Sequence, residues 1–123
     1  MRFVWISLWM LVLSAPVLSA GGIRMLVQSS PLAGSQYHQL NDLKDVIRVG
    51  DPLELRREPE NRHDPNAVRV FWRGHSLGYL PRKENAAVAK AMDGGEPVSA
   101  NIEDMKQDPN PWKRLRVSVY IQL

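Results

Sequence analysis

From Leu53 to Arg82 the chain reads LELRREPENRHDPNAVRVFWRGHSLGYLPR, and this stretch restricts the possible folds more than any other. Leu53 to Arg57 alternates, with Leu53 and Leu55 on one face. Side chains of a strand point to opposite faces in turn, so the run predicts a half-buried strand. Val68, Val70 and Trp72 make the next inward face, with Arg69, Phe71 and Arg73 opposite. Gly74-His75 forms a tight turn into a returning strand at Leu77 to Leu80, and the two flanking runs predict a hairpin. Gly78, in the middle of the returning strand, predicts a bulge or a close approach of another backbone. Successive strands without intervening helices do not suit a parallel α/β fold, whose crossovers require helices.

The rest of the chain continues the pattern. Ile23 to Gln28 predicts a first strand, with Ile23, Met25 and Val27 on one face and Arg24, Leu26 and Gln28 on the other. Ser29 to Ser35 reads as a loop, and Gly50-Asp51-Pro52 as a turn. Between Tyr37 and Val49, Leu40, Leu43 and Ile47 have helical spacing, while Asn41, Asp42 and the charges suggest only a short turn. Pro81 opens a helical segment over Lys83 to Met92, with an apolar stripe of Ala87, Val88, Ala91 and Met92 that ends at Gly94 and Gly95. Val98 to Ile102 is a further strand. Lys113 to Gln122 is the last, with Leu115, Val117, Val119 and Ile121 inward. The expected fold is mainly β: a small OB-like or SH3-like barrel of five to six strands with one or two short helices, forming one domain over residues 22–123.

Residues 1–20 stand apart. Met1 and Arg2 give a short positive start, Phe3 to Ala15 is almost wholly apolar, and Pro16 is followed by small residues. This order is that of a secretory signal peptide cleaved after Ala20, and it predicts an exported, periplasmic or secreted product. A retained membrane anchor fits less well, because a span needs about 20 apolar residues and Pro16 shortens this run. Removing the leader leaves roughly a hundred residues, enough for one modest core. The chain has no cysteine, which excludes disulfides, thiolate metal sites and cysteine nucleophiles. The core alone must hold such a domain together.

The formal charge of +3 permits phosphate binding without demanding it. Basic pairs recur at Arg56-Arg57, Arg82-Lys83 and Lys113-Arg114, either as solvated faces of a β-protein or as anion contacts. Asn61, His63, Asp64 and Asn66 crowd one turn. Asparagine and aspartate there either organise the backbone by local hydrogen bonds or face a ligand, and the two roles are compatible. His38, His63 and His75 are scattered, with no ligand spacing, so no metal site is expected. No phosphate-cradling glycine loop and no nucleophile elbow is present, so neither cofactor nor catalytic residue is assigned.

The run from Gly50 to Arg82 resembles the HIRAN domain. The shared features are Gly-Asp, Leu-Glu-Leu-Arg-Arg-Glu-Pro, Asn-x-x-Asp-x-Asn-Ala-Val-x-Val and Gly-Tyr-Leu-Pro-Arg, with Tyr37 matching an aromatic upstream. That module occurs at the N-terminus of certain SWI/SNF-type helicases and alone in bacteria. The resemblance implies an OB-like barrel that grips the free 3′ end of single-stranded DNA and has no catalytic activity of its own. It implies nucleic-acid contacts at Tyr37, Asn61, His63, Asp64, Tyr79 and Arg82, with Lys83 a further phosphate candidate and Trp112 on the C-terminal loop. Asp64 would accept a terminal hydroxyl, Tyr37, Tyr79 and Trp112 would stack bases, and Arg82 and Lys83 would meet phosphates. His63 stands where the helicase domains often carry tyrosine, and Gln36 where a basic residue would help hold phosphate. The expected state is a monomer. The leader keeps a second reading open: an envelope domain whose groove holds a peptide or another anionic polymer.

Overall fold

The computed structural model describes residues 22–123, and the leader expected at 1–20 lies outside the described residues. Six strands follow in the order β1 (Arg24–Pro31), β2 (Pro52–Arg57), β3 (Val68–Trp72), β4 (His75–Tyr79), β5 (Val98–Met105) and β6 (Leu115–Gln122). Two helices accompany them, a single turn α1 (Leu40–Leu43) and α2 (Ala86–Asp93), together with 3-10 turns at Ser35–Tyr37 and Pro111–Lys113. The sheet runs β1-β6-β5-β2-β3-β4 with every pairing antiparallel. Within β2, Pro52 and Leu53 pair with β5 while Glu54 to Arg57 pair with β3, so the strand changes partner and turns the sheet's corner.

The two sheet edges meet. Ala33, just past β1, exchanges both backbone hydrogen bonds with Tyr79 of β4, at 2.8 and 2.9 Å. This bridge closes a small barrel of the OB-like kind and covers part of the free edge. Gly78 makes the closure possible. Its φ is +144°, and a Cβ there would lie 2.5 Å from the carbonyl oxygen of Ala33 and 3.1 Å from Cγ of Leu32. The β3–β4 register also shifts beside it, leaving Leu77 bulged between Gly78 and Ser76. Both alternatives offered for Gly78, bulge and close approach, hold at once.

The interior is aliphatic. Leu32, Leu77, Ile102, Val68, Val70 and Val117 are among its fully buried residues. Ile47 and Leu40 enter from the segment after β1, and α2 covers one side with Val88, Ala89 and Ala91. Trp72 is buried as well, and its indole N–H donates to Asp51 Oδ2 at 3.0 Å, which satisfies the one polar atom the ring carries.

Four local expectations change. The hairpin turn falls at Arg73 and Gly74, with φ of 44° and 83°, so it is a two-residue turn with both φ positive, and His75 already belongs to β4. Helix α2 begins at Ala86 rather than Lys83, because a turn bonded from Glu84 N–H to Pro81 C=O comes first; Ala87 is exposed and Ala89 buried in its place. Segment 29–31 is strand rather than loop. In β1 the pairing skips Val27, and this bulge reverses the alternation: Gln28 and Ser30 point inward, while Ile23, Met25 and Leu26 are exposed.

Candidate functional site

The loop from Glu58 to Ala67 joins β2 to β3, and its polar side chains turn back on its own backbone. Asn61 Oδ1 accepts from the N–H of His63 at 2.9 Å and of Asp64 at 3.2 Å. Asp64 Oδ1 accepts from the N–H of Asn66 at 2.9 Å, and its Oδ2 accepts from Nδ2 of Asn85 at 2.7 Å. The last bond fastens the loop to the start of α2, directly after the turn that carries Arg82 and Lys83. Arg57 reinforces it, donating to the carbonyls of Ala67 at 2.7 Å and Pro65 at 2.9 Å and pairing with Asp93 of α2 at 2.8 Å. The backbone-organising role of Asn61 and Asp64 is therefore real. Each carboxylate oxygen of Asp64 keeps a second lone pair, so the group can still accept from a ligand.

A second network lies beside the loop. Glu58 Oε1 accepts from the Tyr79 hydroxyl at 2.8 Å and from Asn61 Nδ2 at 3.1 Å, and Arg69 Nη1 stands 3.6 Å from Oε2. Partial burial pushes the Glu58 carboxyl upward, but the hydrogen bonds from Tyr79 and Asn61 and the Arg69 guanidinium outweigh it, and the group sits below its ordinary 4.5. Tyr79 moves the other way: burial and the bond to Glu58 raise it above 10.0. Arg69 Nε donates to Ser76 Oγ at 2.9 Å, and His38 Nδ1 lies 2.7 Å from the same hydroxyl. Burial and the nearby Arg69 charge depress the His38 pKa below 6.5, which favours the neutral ring. The His38 ring meets Tyr79 edge to face, with centroids 5.7 Å apart.

Tyr37 and Trp112 sit on the two 3-10 turns, which pack together: Ser35 Oγ donates to the Pro111 carbonyl at 3.3 Å. Tyr37 is 83% exposed and Trp112 48%. Asn110 organises the second turn by accepting from the Trp112 N–H at 3.1 Å. The residue after Tyr37 is His38, and its contact with Tyr79 joins the aromatic turns to the Glu58 network. The expected site residues thus fall on one connected tract: Tyr37 and Trp112 on adjoining turns, Tyr79 and Asn61 on a shared carboxylate, and Asp64 against the segment bearing Arg82 and Lys83. His63, Arg82 and Lys83 are exposed, and their side chains make no hydrogen bond or ion pair among the described residues.

Not every arginine in the neighbourhood is available to an anion. Arg56 pairs with Glu54 at 3.2 Å and lies over the Phe71 ring, Arg57 is held by Asp93, Arg69 by Glu58, and Arg73 rests on Trp72. The cations left for a ligand on this tract are Arg62, Arg82, Lys83 and Lys113, which make no ion pair among the described residues. Sequence reasoning missed Glu58, Arg69, Ser76 and His38 as site-building residues. The available signal was Arg69 on the outward face of a strand, a charge that needs a partner when that face is half-covered.

A small closed barrel with exposed aromatics on paired turns beside free cations defines a β-barrel module of the binding kind. The family model for the HIRAN domain matches residues 25–123, and the chain belongs to that family. A Fanconi-associated nuclease 1 homolog from Oryza sativa subsp. japonica is 31% identical over 72 residues, covering 55% of this chain but 7% of that protein. The chain therefore spans a small fraction of that relative's length. Among solved structures, a protein from Lactobacillus plantarum aligns at TM-score 0.70 and 24% identity, over 83% of this chain and 98% of that one. The HIRAN domain of human HLTF aligns at TM-score 0.61 and 22% identity, over 83% of this chain and 80% of that one. At these identities the two structures speak for the fold.

Proposed function

We propose that the tract from Trp112 and Tyr37 to Asp64 binds single-stranded nucleic acid by its 3′ end, and that the domain acts by binding without chemistry of its own. The observation that carries this reading is the pair of exposed aromatic side chains on adjoining turns. Exposed rings of this size are costly to leave in water, and flat faces carried on adjoining turns suit the stacking of unpaired bases, each worth about 1–3 kcal/mol. Arg82, Lys83 and Lys113 supply phosphate contacts. Asp64, fixed by Asn66 and Asn85, supplies an acceptor for a terminal hydroxyl. Asn61 and Glu58 act as positioning residues, the first shaping the Asp64 turn and the second orienting Tyr79. His63, exposed at the crest of the loop, is a further contact. Membership of the HIRAN family supports the same ligand class.

The test compares oligonucleotides that differ only at the 3′ terminus. A free 3′-hydroxyl is expected to bind about tenfold more tightly than a 3′-phosphate, since the phosphate meets the Asp64 carboxylate with like charge. Equal affinity for the two would remove end recognition and leave only general single-strand binding. We also read residues 1–20 as an export leader, on their charge and apolar order. N-terminal sequencing of the protein from its own cell is expected to begin at Gly21; a product beginning at Met1 contradicts export by cleavage.

A further inference from the structure

On the other side of the Trp112 turn lies a groove of about 580 Å³ that the nucleic-acid reading does not use. One wall is α1 with the turn after it, and the other is the segment joining β5 to β6. Leu40, Ile47 and Met105 line it with apolar atoms, and Val49, 60% exposed, adds another. Lys44, Arg48, Lys106 and Arg114 also line it. Its volume falls within the range of about 300–1,000 Å³ typical of ligand sites.

The lining of this groove carries four cations against one carboxylate, that of Asp108. The Arg114 guanidinium donates to the carbonyls of Asp108 and Pro109 at 2.8 and 3.2 Å and reaches Asn41 Oδ1 across the groove at 3.3 Å. Arg48 donates to the carbonyls of Asp45 and Ile47 at 2.8 and 3.1 Å. All of these acceptors are neutral, so both guanidinium groups are held in place with their full charge. Against them stand Asp104, 3.7 Å from Lys106 in an exposed pair, the Asp108 carboxylate of the lining, whose bond from the neutral Asn110 N–H leaves its charge intact, and Asp51, which accepts from the Arg48 backbone N–H. Aromatic side chains are absent from the lining, whereas Tyr37, Trp112 and Tyr79 all belong to the neighbouring tract. Unpaired bases need such rings, so the groove does not suit a continuation of the same strand.

We infer that this groove binds a short acidic peptide segment of a partner protein, with one aliphatic or aromatic anchor side chain against Met105 and Val49, over a floor formed by the buried Leu40 and Ile47, and flanking carboxylates on Lys44, Arg48, Lys106 and Arg114. An adaptable methionine in the lining accommodates anchors of different shape. Bidentate arginine–carboxylate pairs fix the direction of the segment. The groove gives the domain a protein contact that leaves the nucleic-acid tract open.

Three fluorescein-labelled acidic hexapeptides, with leucine, isoleucine or phenylalanine between aspartate and glutamate pairs, are titrated against the full chain at physiological salt. Their asparagine and glutamine counterparts and a 3′-ended oligonucleotide serve as comparisons. At least one acidic peptide is expected to bind, and its amide counterpart about tenfold more weakly or worse. The exposed double variant Lys44→Glu/Lys106→Glu is expected to lose the peptide at least tenfold, and Tyr37→Ala to keep it within twofold. Arg48→Gln gives a second variant, with thermal melting as the check on folding. No binding of any of the three peptides overturns the inference. Equal binding of the amide forms does so too, as does a groove variant that weakens only the oligonucleotide, which would make the groove a nucleic-acid track. If the peptide binds and the oligonucleotide does not, the groove stands and the nucleic-acid reading falls.

Discussion

Asp64 serves the fold and the proposed site with one carboxylate. Its Oδ2 is the hydrogen-bond partner of Asn85, a residue only 1% exposed whose Oδ1 has no partner among the described residues. Removing the carboxylate would leave that whole amide buried and unsatisfied. Asp64→Ala is therefore expected to destabilise the domain by about 2–3 kcal/mol, read from urea denaturation. Asp64→Asn keeps an acceptor for the Asn66 N–H and is expected to cost less; equal losses would show that the Asn66 bond contributes nothing. His38 has a similar double position between Ser76 and Tyr79. Its pKa is depressed by burial and by Arg69, so the unfolded chain takes up the proton more readily than the folded one. Stability is then full above pH 6.5 and falls as pH drops through the folded pKa below that value. His38→Gln is expected to abolish this component, leaving acid loss only below pH 4.5, where depressed carboxyls such as Glu58 titrate. Parallel stability–pH curves for the two proteins would contradict it.

At the scale of elements, barrel closure rests on a contact that only glycine permits. Gly78→Ala places a Cβ against the Ala33 carbonyl in a backbone conformation unfavourable to L-residues, and is expected to cost about 2–4 kcal/mol. Gly74→Ala, at positive φ but with open space around the new carbon, is expected to cost only about 1–2 kcal/mol. Denaturation midpoints of the two variants separate steric closure from backbone strain, and equal losses would deny the closure a special role. The hairpin, the barrel class and the inward faces of β2, β3 and β6 were legible because alternation and turn residues act locally. The faces of β1 were not, because the bulge at Val27 depends on pairing with β6, and no neighbour in sequence announces it. The start of α2 was misjudged because a turn closed by Glu84 N–H on the Pro81 carbonyl comes first, and Asn85, the residue before the helix, is tied to the distant Asp64. In the candidate site, Asn61, Asp64, Tyr37 and Trp112 stand out as residues of distinctive type in turns. Glu58, Arg69, Ser76 and His38 do not, since their meaning comes from strands brought together by folding.

For the molecule as a whole, a net charge of +3 understates how unevenly the cations are available. Arg56, Arg57 and Arg69 are committed to carboxylates, while on the proposed tract Arg62, Arg82, Lys83 and Lys113 have no ion pair among the described residues. A single strand confined to this tract should therefore meet few phosphate contacts, and its affinity should fall with a shallow salt slope of about two to three ions. The aromatic tract must supply the remaining affinity and the preference for unpaired strands. The most direct measurement is an anisotropy titration of the full chain with a 5′-labelled single strand of about ten nucleotides at low salt, beside the Tyr37→Ala/Trp112→Ala variant. The account predicts a dissociation constant below about 100 µM for the native protein and a loss of tenfold or more in a variant that melts at the same temperature. No binding by the native protein, or equal binding by the two, would contradict it.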